Sequence, residues 1–410
     1  MKKNILISVY DLEIGGIERS LINMLESFDY EHHNVDLLVF SHKGDLMGLI
    51  PVQVNLLPER KKYTVFRKSL RQCLSERNLM AVAVRLLSKV IAKASSVRKK
   101  LKEGPGYIQM QWESRLSSYY IRGPEKEYDL VISNGWPHDV VLKRVKAKKK
   151  LAWIHTDYSM LEINNKMDLK VWSGFDYIAS ISEACTESFL SRYPVLKDKI
   201  VQIENITSPE FIKKMSRAED TPEFSKTFNI VSVGRLSYVK GYDMAVQALK
   251  ALHGRGMTDI RWYVIGYGGY EQELRDLIAR HQLEESFILL GKKSNPYPYI
   301  KMCDVYVQPS RYEGKAVTIT EAQILGKPVI ITNYPTAQSQ VADGVDGRIC
   351  DLSPEGIADA IHLMYQSLDI RNALISNLED KDYSNSYELH KLYQLIPSTN
   401  NKRKKEPLYT

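Results

Sequence analysis

The chain has 410 residues, 44% hydrophobic and 26% charged, which is ordinary for a soluble globular protein but longer than one hydrophobic core usually sustains, so two domains are expected. Four cysteines, Cys73, Cys185, Cys303 and Cys350, are scattered without metal-ligand spacing, which argues against a disulfide framework or a cysteine zinc site and for a reducing compartment. The net charge is +8, no apolar run reaches the roughly 18 residues of a membrane span, and Met1-Lys2-Lys3 opens no signal peptide, so a cytoplasmic location is expected.

Asn4 to Tyr10 is a buried-strand run. Gly15 and Gly16 then open an amphipathic helix, where glycine lets backbone approach a ligand closely. A dinucleotide fingerprint needs Gly-x-Gly-x-x-Gly at this place, and its absence argues against NAD. Residues 60–103 carry fourteen Lys and Arg against Glu76 and Glu103, a local charge of +12 that leaves the rest of the chain at −4. Apolar residues such as Leu74, Leu79, Val82, Leu86, Leu87 and Val90 recur among these cations in an amphipathic helical pattern. Two readings stay open. Either the helix lies at an anionic lipid surface, each nearby cation contributing about 1 kcal/mol, or its apolar stripe packs on the first domain and the cations are solvated. A pI near 9.0 also admits a nucleic-acid partner, but no helix-turn-helix, zinc spacing or aromatic RNP pattern accompanies the charge, so none is expected.

Lys150 to Tyr158 is a strand ending in polar groups, among them His155. A lone histidine at a strand end is more often a hydrogen-bonded structural residue than a ligand. Phe175 to Leu190 reads as a strand, then Ser182 in N-cap position, then a helix. The strand Lys199 to Asn205 closes a first domain of residues 1–205. Ser208 to Lys226, with prolines and mixed charge, reads as the linker and start of the second domain, residues 206–385.

In that domain, Val231 to Gly241 is a strand followed by Gly234, Arg235 and Lys240. Trp262 to Gly269 is a strand ending in Gly266 and Gly268, and Phe287 to Gly291 is another, followed by Lys292. Asp304 to Pro309 is a short buried strand. After it come Glu313, Gly314, Lys315, Ala316 and Val317, a helix stopped at Gly326, and a strand opened by Pro328. Open α/β sheets bind ligands outside the carboxyl ends of their strands, and a helix start there offers unpaired N–H groups to an anion such as a diphosphate. Glu313 can accept hydrogen bonds from sugar hydroxyls, and Glu321, two helical turns on, can take a ribose diol. Asp380-Lys-Asp382 is the chain's one Asp-x-Asp and lies in a charged stretch remote from any strand end. Residues 386–400 hold a closing helix, and 401–410 form a basic tail expected to be disordered.

The Glu313 and Glu321 spacing resembles the Glu-x7-Glu signature of the retaining glycosyltransferases of family 4, which have the GT-B fold and transfer a sugar from a nucleotide donor. Val231 to Gly241 is similar to the family's second-domain opening, Trp262 to Leu274 to its Gly-x-Gly-Pro strand end, and Phe287 to Gly291 to the strand whose following loop, here Lys292, holds the base. The chain departs from the pattern at Lys315-Ala316, where the family has an aromatic residue and a glycine, and at Gly269 in place of proline. The resemblance implies an α/β chain of two Rossmann-like domains facing across a cleft, with the last helix crossing back to the first. By position it implies that Gly15 and Gly16 border the donor and acceptor, that His155 orients the transferred sugar, and that Arg235 and Lys240 neutralise the diphosphate. Ser182 matches a family serine, and the plain helix cap explains it equally well. The implied activity is metal-independent transfer with retention, no cofactor being required beyond the nucleotide-sugar co-substrate. A uridine diphosphate sugar is the first expectation for the donor and a glycan or lipid-linked hydroxyl for the acceptor, as in bacterial cell-surface polysaccharide assembly. A nucleotide-sugar epimerase of the same architecture is the alternative.

Overall fold

The computed structural model describes residues 2–59, 66, 68–99, 104–156, 158–159, 161–217, 224, 227–379 and 381–397. The tail 401–410, part of the closing 386–400 segment and parts of the basic 60–103 stretch lie outside the described residues. The chain divides into two compact units, Met1–Glu204 with Tyr387–Thr410, and Asn205–Ser386.

The first unit is built on a seven-stranded sheet with the order β3-β2-β1-β4-β5-β6-β7. Its strands are β1 (Lys3–Val9), β2 (His33–Val39), β3 (Asn55–Leu56), β4 (Glu127–Ser133), β5 (Lys146–Ile154), β6 (Tyr177–Ser180) and β7 (Ile200–Gln202). Every pairing is parallel, with Leu6 opposite Val131 and Ile154 opposite Ser180. Such strands are covered on both faces, which is why they read as continuous apolar runs rather than alternating ones. One core gathers Leu6, Leu38, Phe40, Tyr128 and Val131, and another gathers Ile154, Trp172, Phe175 and Phe189. The helix Glu388–Gln394 belongs to this unit: the Asp29 amide donates to the Tyr393 hydroxyl oxygen at 2.9 Å, and the Tyr393 ring stacks on His33.

The second unit has a six-stranded parallel sheet, order β10-β9-β8-β11-β12-β13. Here β8 is Phe228–Val233, β9 Ile260–Ile265, β10 Phe287–Gly291, β11 Val305–Gln308, β12 Val329–Thr332 and β13 Arg348–Cys350. The strand order reverses between β8 and β11, so the crevice beyond their carboxyl ends is this sheet's topological switch point. In the Ser208 to Lys226 stretch, read as linker and start of the second domain, the residues described from 208 to 217 lie in the second unit. Ser208 caps a helix, Pro209–Met215, by accepting from the Phe211 amide at 3.3 Å, and Phe211 and Ile212 bury into the second unit. Proline at the first helical position starts that helix rather than breaking it, the reading its sequence had obscured. Among the described residues no helix is long and apolar enough to cross a membrane.

Candidate functional site

Two loops meet at the switch point of the second unit, residues 234–241 after β8 and residues 309–316 after β11. Gly241 sits in the left-handed region at φ 67°, and a Cβ there would lie 1.9 Å from the Pro309 carbonyl oxygen. Only glycine lets these backbones approach so closely. The Arg311 amide donates to the Val239 carbonyl at 2.8 Å, and the Arg311 guanidinium forks onto Asp243 at 2.7 and 2.6 Å while lying 3.9 Å over the Tyr238 ring. This bidentate pair fixes geometry as well as adding energy. Arg311 and Asp243 carried no role in the sequence reading, because nothing local shows that residues 68 positions apart meet.

Glu313 is 9% exposed, and one of its oxygens is crowded with donors. Oε1 accepts from Lys240 Nζ at 2.6 Å, Ser310 Oγ at 2.5 Å and Gln308 Nε2 at 3.0 Å. The Tyr306 hydroxyl donates to Gln308 Oε1 at 2.8 Å, which fixes which end of the amide faces the carboxylate. Three donors on Oε1 leave the second carboxylate oxygen for another partner. Lys240, expected at a diphosphate, is thus held by the carboxylate expected at the sugar. The reason is electrostatic, since a nearly buried carboxylate needs a counter-charge. Arg235, by contrast, is exposed and makes no ion pair with a described residue.

Beside Glu313, the helix Val317–Ile324 begins at Ala316 with no side-chain cap, and the Ala316 amide donates to Gln340 Oε1 at 3.1 Å. Gly314 faces open space, so a side chain would fit there. Glu321 is 1% exposed, and its Oε1 accepts from the Tyr297 hydroxyl at 2.9 Å. Gly266 and Gly268 have a structural duty: Cβ atoms there would lie 1.8 Å from the Gly234 carbonyl oxygen and 2.2 Å from that of Leu236. The loops after β8 and β9 are zipped by Gly234 N–H to Ile265 O at 2.9 Å and Leu236 N–H to Tyr267 O at 3.1 Å. Lys292 lies 5.7 Å over the Tyr267 ring. The Tyr242 hydroxyl is buried under Gly234, 2.8 Å from where its Cβ would be, and burial pushes its pKa far up, so it stays a neutral phenol.

In the first unit, Gly15 takes the N-cap position of the helix Gly16–Glu26 with extended backbone, where a Cβ would meet the Glu18 carboxylate, and Gly16 faces open space. His155, partly buried at the end of β5, engages the Asn134 carbonyl oxygen through Nε2 at 2.7 Å. Nε2 therefore carries the proton, and Nδ1 is left as a buried acceptor with no partner among the described residues. Burial lowers its pKa to about 4, so the imidazole is neutral near pH 7. Ser182 caps the helix Glu183–Arg192 by accepting from the Cys185 amide at 3.2 Å, which accounts for its place. Of the Asp-x-Asp triplet, Asp380 lies outside the described residues, and Lys381 pairs with Asp346. Among the described residues no group of three or more His, Cys, Asp or Glu is placed to hold a metal ion.

The profile of the family described as glycosyl transferases group 1 matches residues 215–381. The chain is similar to the Campylobacter jejuni N-acetylgalactosamine-N,N'-diacetylbacillosaminyl-diphospho-undecaprenol 4-alpha-N-acetylgalactosaminyltransferase, 30% identical over 127 residues, 31% of this chain and 34% of that protein. Matches to the first curated relatives span 38%, 35% and 34% of their lengths. Among solved structures, Anabaena HepE with UDP and glucose aligns with a TM-score of 0.62 and 18% identity, covering 96% of this chain and 98% of that one. A Staphylococcus aureus TarM variant with UDP, Fondaparinux and alpha-GlcNAc-glycerol aligns at 0.68 and 16% identity, covering 97% and 100%. Two parallel-sheet Rossmann-like units that align with these structures over nearly the whole chain show the GT-B fold, and the second unit carries the match to glycosyl transferases group 1.

Proposed function

We propose that the chain is a retaining family 4 glycosyltransferase that moves a sugar from a uridine diphosphate donor to a hydroxyl of a glycan or lipid-linked acceptor in cell-surface polysaccharide synthesis. The observation that carries this is Glu313. Its Oε1 is saturated by Lys240, Ser310 and Gln308, its other oxygen is left for a sugar hydroxyl, and an uncapped helix start lies three residues on. The UDP bound by HepE and TarM, and the undecaprenol-linked acceptor in the Campylobacter relative's name, support the donor and acceptor classes.

In this reading Glu313 orients the sugar rather than attacking it. The donor phosphate takes the proton of an acceptor hydroxyl entering on the face the leaving group departs from, which retains the configuration. Arg235, Lys240 and the amide at Val317 stabilise the negative charge that grows on the leaving diphosphate. These groups supply that stabilisation without a metal, and we propose turnover in excess chelator. Glu321 binds the ribose, Lys292 lies by the base, and Gly314 leaves room beside the sugar. Neutral His155, protonated at Nε2, keeps the orienting role, with Nδ1 able to accept a hydroxyl hydrogen bond. An anionic membrane surface, met through residues 60–103, completes the reading for a lipid-linked acceptor.

The test is a screen of nucleotide sugars with the purified chain and chelator, detecting released nucleoside diphosphate and transferred sugar by mass spectrometry. One preferred UDP-sugar, lost in Glu321→Ala, supports the reading. A product still attached to its nucleotide overturns it in favour of epimerisation, and binding of no nucleotide sugar overturns both.

A further inference from the structure

The helix Leu79–Lys99 has two apolar faces. Ala81, Val84, Ser88 and Ala92 recur at three- and four-residue spacing and are buried, with Ser88 near Glu113 of the helix Gly106–Ser117. This is the packing face that the sequence admitted. The opposite side is apolar too: Leu79, Met80, Leu86, Leu87, Val90 and Val97 are between 48% and 75% exposed. At the helical rotation per residue these six fall within an arc of about 120°, running for about 27 Å along the axis. Seen in a water-facing helix, that arc is where charges ordinarily lie. Scattered exposed apolar residues need no explanation, but a continuous patch of this length marks an interaction surface.

No Asp or Glu occurs between Leu79 and Val97. Lys89 and Lys93 are exposed along one edge of the arc and form no ion pair with a described residue. Arg85, nearer the buried side, is occupied with the Phe66 carbonyl at 2.8 Å and with Glu113. The helix therefore presents an apolar strip with a free cationic border.

We propose that this strip is a bilayer-docking surface, with the helix lying in the plane of an anionic membrane, its exposed apolar side chains among the acyl chains and Lys89 and Lys93 at the lipid phosphates. The inference rests on the membrane reading of residues 60–103 and deepens it, since it makes apolar insertion, rather than charge alone, the main contact. Charge selects the occupant. A second copy of this helix brings the same lysines and no acid to meet them, whereas anionic lipid supplies the counter-charge.

The test is co-sedimentation of the full chain with vesicles of phosphatidylcholine alone or mixed with phosphatidylglycerol. Leu86→Asn with Val90→Asn changes exposed residues only, and a thermal melt checks that the fold is kept. Lys89→Glu with Lys93→Glu reverses the border. The wild type is expected to pellet with the mixed vesicles. The Leu86 and Val90 double variant is expected to lose roughly 100-fold in partitioning, about tenfold per side chain withdrawn from lipid. The charge reversal is expected to lose less and only at low salt. Should the apolar variant bind like the wild type while the reversal abolishes binding, the membrane reading stands and insertion of this face is overturned. Failure of the wild type to bind either vesicle overturns both, and a concentration-dependent dimer lost in Leu86→Asn with Val90→Asn assigns the face to a second copy instead. Sugar transfer to a water-soluble acceptor is unchanged by the apolar variant, so none of these outcomes bears on the transferase reading.

Discussion

Replacing Lys240 by methionine keeps its apolar stem and removes the charge 2.6 Å from Glu313, and the structure sets what this should cost. The two side chains are 22% and 10% exposed. Breaking a fully buried pair costs about 3 to 5 kcal/mol and a surface pair about 0 to 1. Ser310 and Gln308 still donate to the stranded carboxylate, so the expected loss of stability is intermediate, about 2 kcal/mol. Glu313→Gln should cost a similar amount, and the double variant less than the sum, with a coupling of about 1 to 2 kcal/mol. Urea unfolding of the four proteins measures that cycle. Turnover is the second readout: loss of one stabilising charge at the leaving group should lower kcat on the order of 10²-fold. Arg235→Ala should lower kcat comparably but leave stability within about 0.5 kcal/mol, because its side chain is exposed and unpaired among the described residues. Additive single variants would refute the coupling, and wild-type turnover in Lys240→Met would refute the role at the diphosphate.

Arg311→Lys should untie the two switch-point loops, since an ammonium cannot reproduce the fork on Asp243; turnover should fall about tenfold or more with the fold retained, and a wild-type rate rejects the positioning role. Gly241→Ala combines a strained backbone, about 1 to 2 kcal/mol, with a clash against the Pro309 carbonyl, so its urea midpoint should drop well beyond that of a Gly314→Ala control, whose Cβ meets open space. For His155 the folded-state pKa is depressed to about 4 by burial, so the unfolded chain binds its proton first as pH falls. Its contribution to stability is full above the ordinary value near 6.5 and is lost as pH drops towards 4, on the order of 2 to 3 kcal/mol, and His155→Gln should remove that part of the slope between pH 7 and 4.5. His138 is lowered to about 3 chiefly by burial, so in that variant it keeps the burial part of its own slope and loses only the part due to the His155 charge. Turnover of the wild type should be unchanged by excess chelator, and a loss restored by magnesium would overturn metal independence.

The parts of this protein that depend on short stretches of chain were legible in its sequence. Continuous apolar runs such as Asn4 to Tyr10 and Asp304 to Pro309 are parallel strands buried on both faces, and Ser182 caps its helix as its position implied, because capping is a contact within three residues. The Glu313 to Glu321 segment likewise announced a loop and helix beyond a strand end. At Ser208 and Pro209 the sequence left two readings, since proline marks both linkers and first helical turns, and burial of Phe211 decided for the helix.

The sequence by itself therefore determined which residues stand at the carboxyl ends of the strands. Which of them touch was decided by tertiary structure. Lys240 meets Glu313, and Arg311 meets Asp243, because β8 and β11 are neighbours at a strand-order reversal, a non-local pairing that no periodicity encodes. Gly266 and Gly268 are glycines because a second loop lies against them, and the helix Leu79–Lys99 shows one apolar face to its unit and another to the outside. A pattern of apolar residues says that a face is to be covered, and only the packed fold says by what.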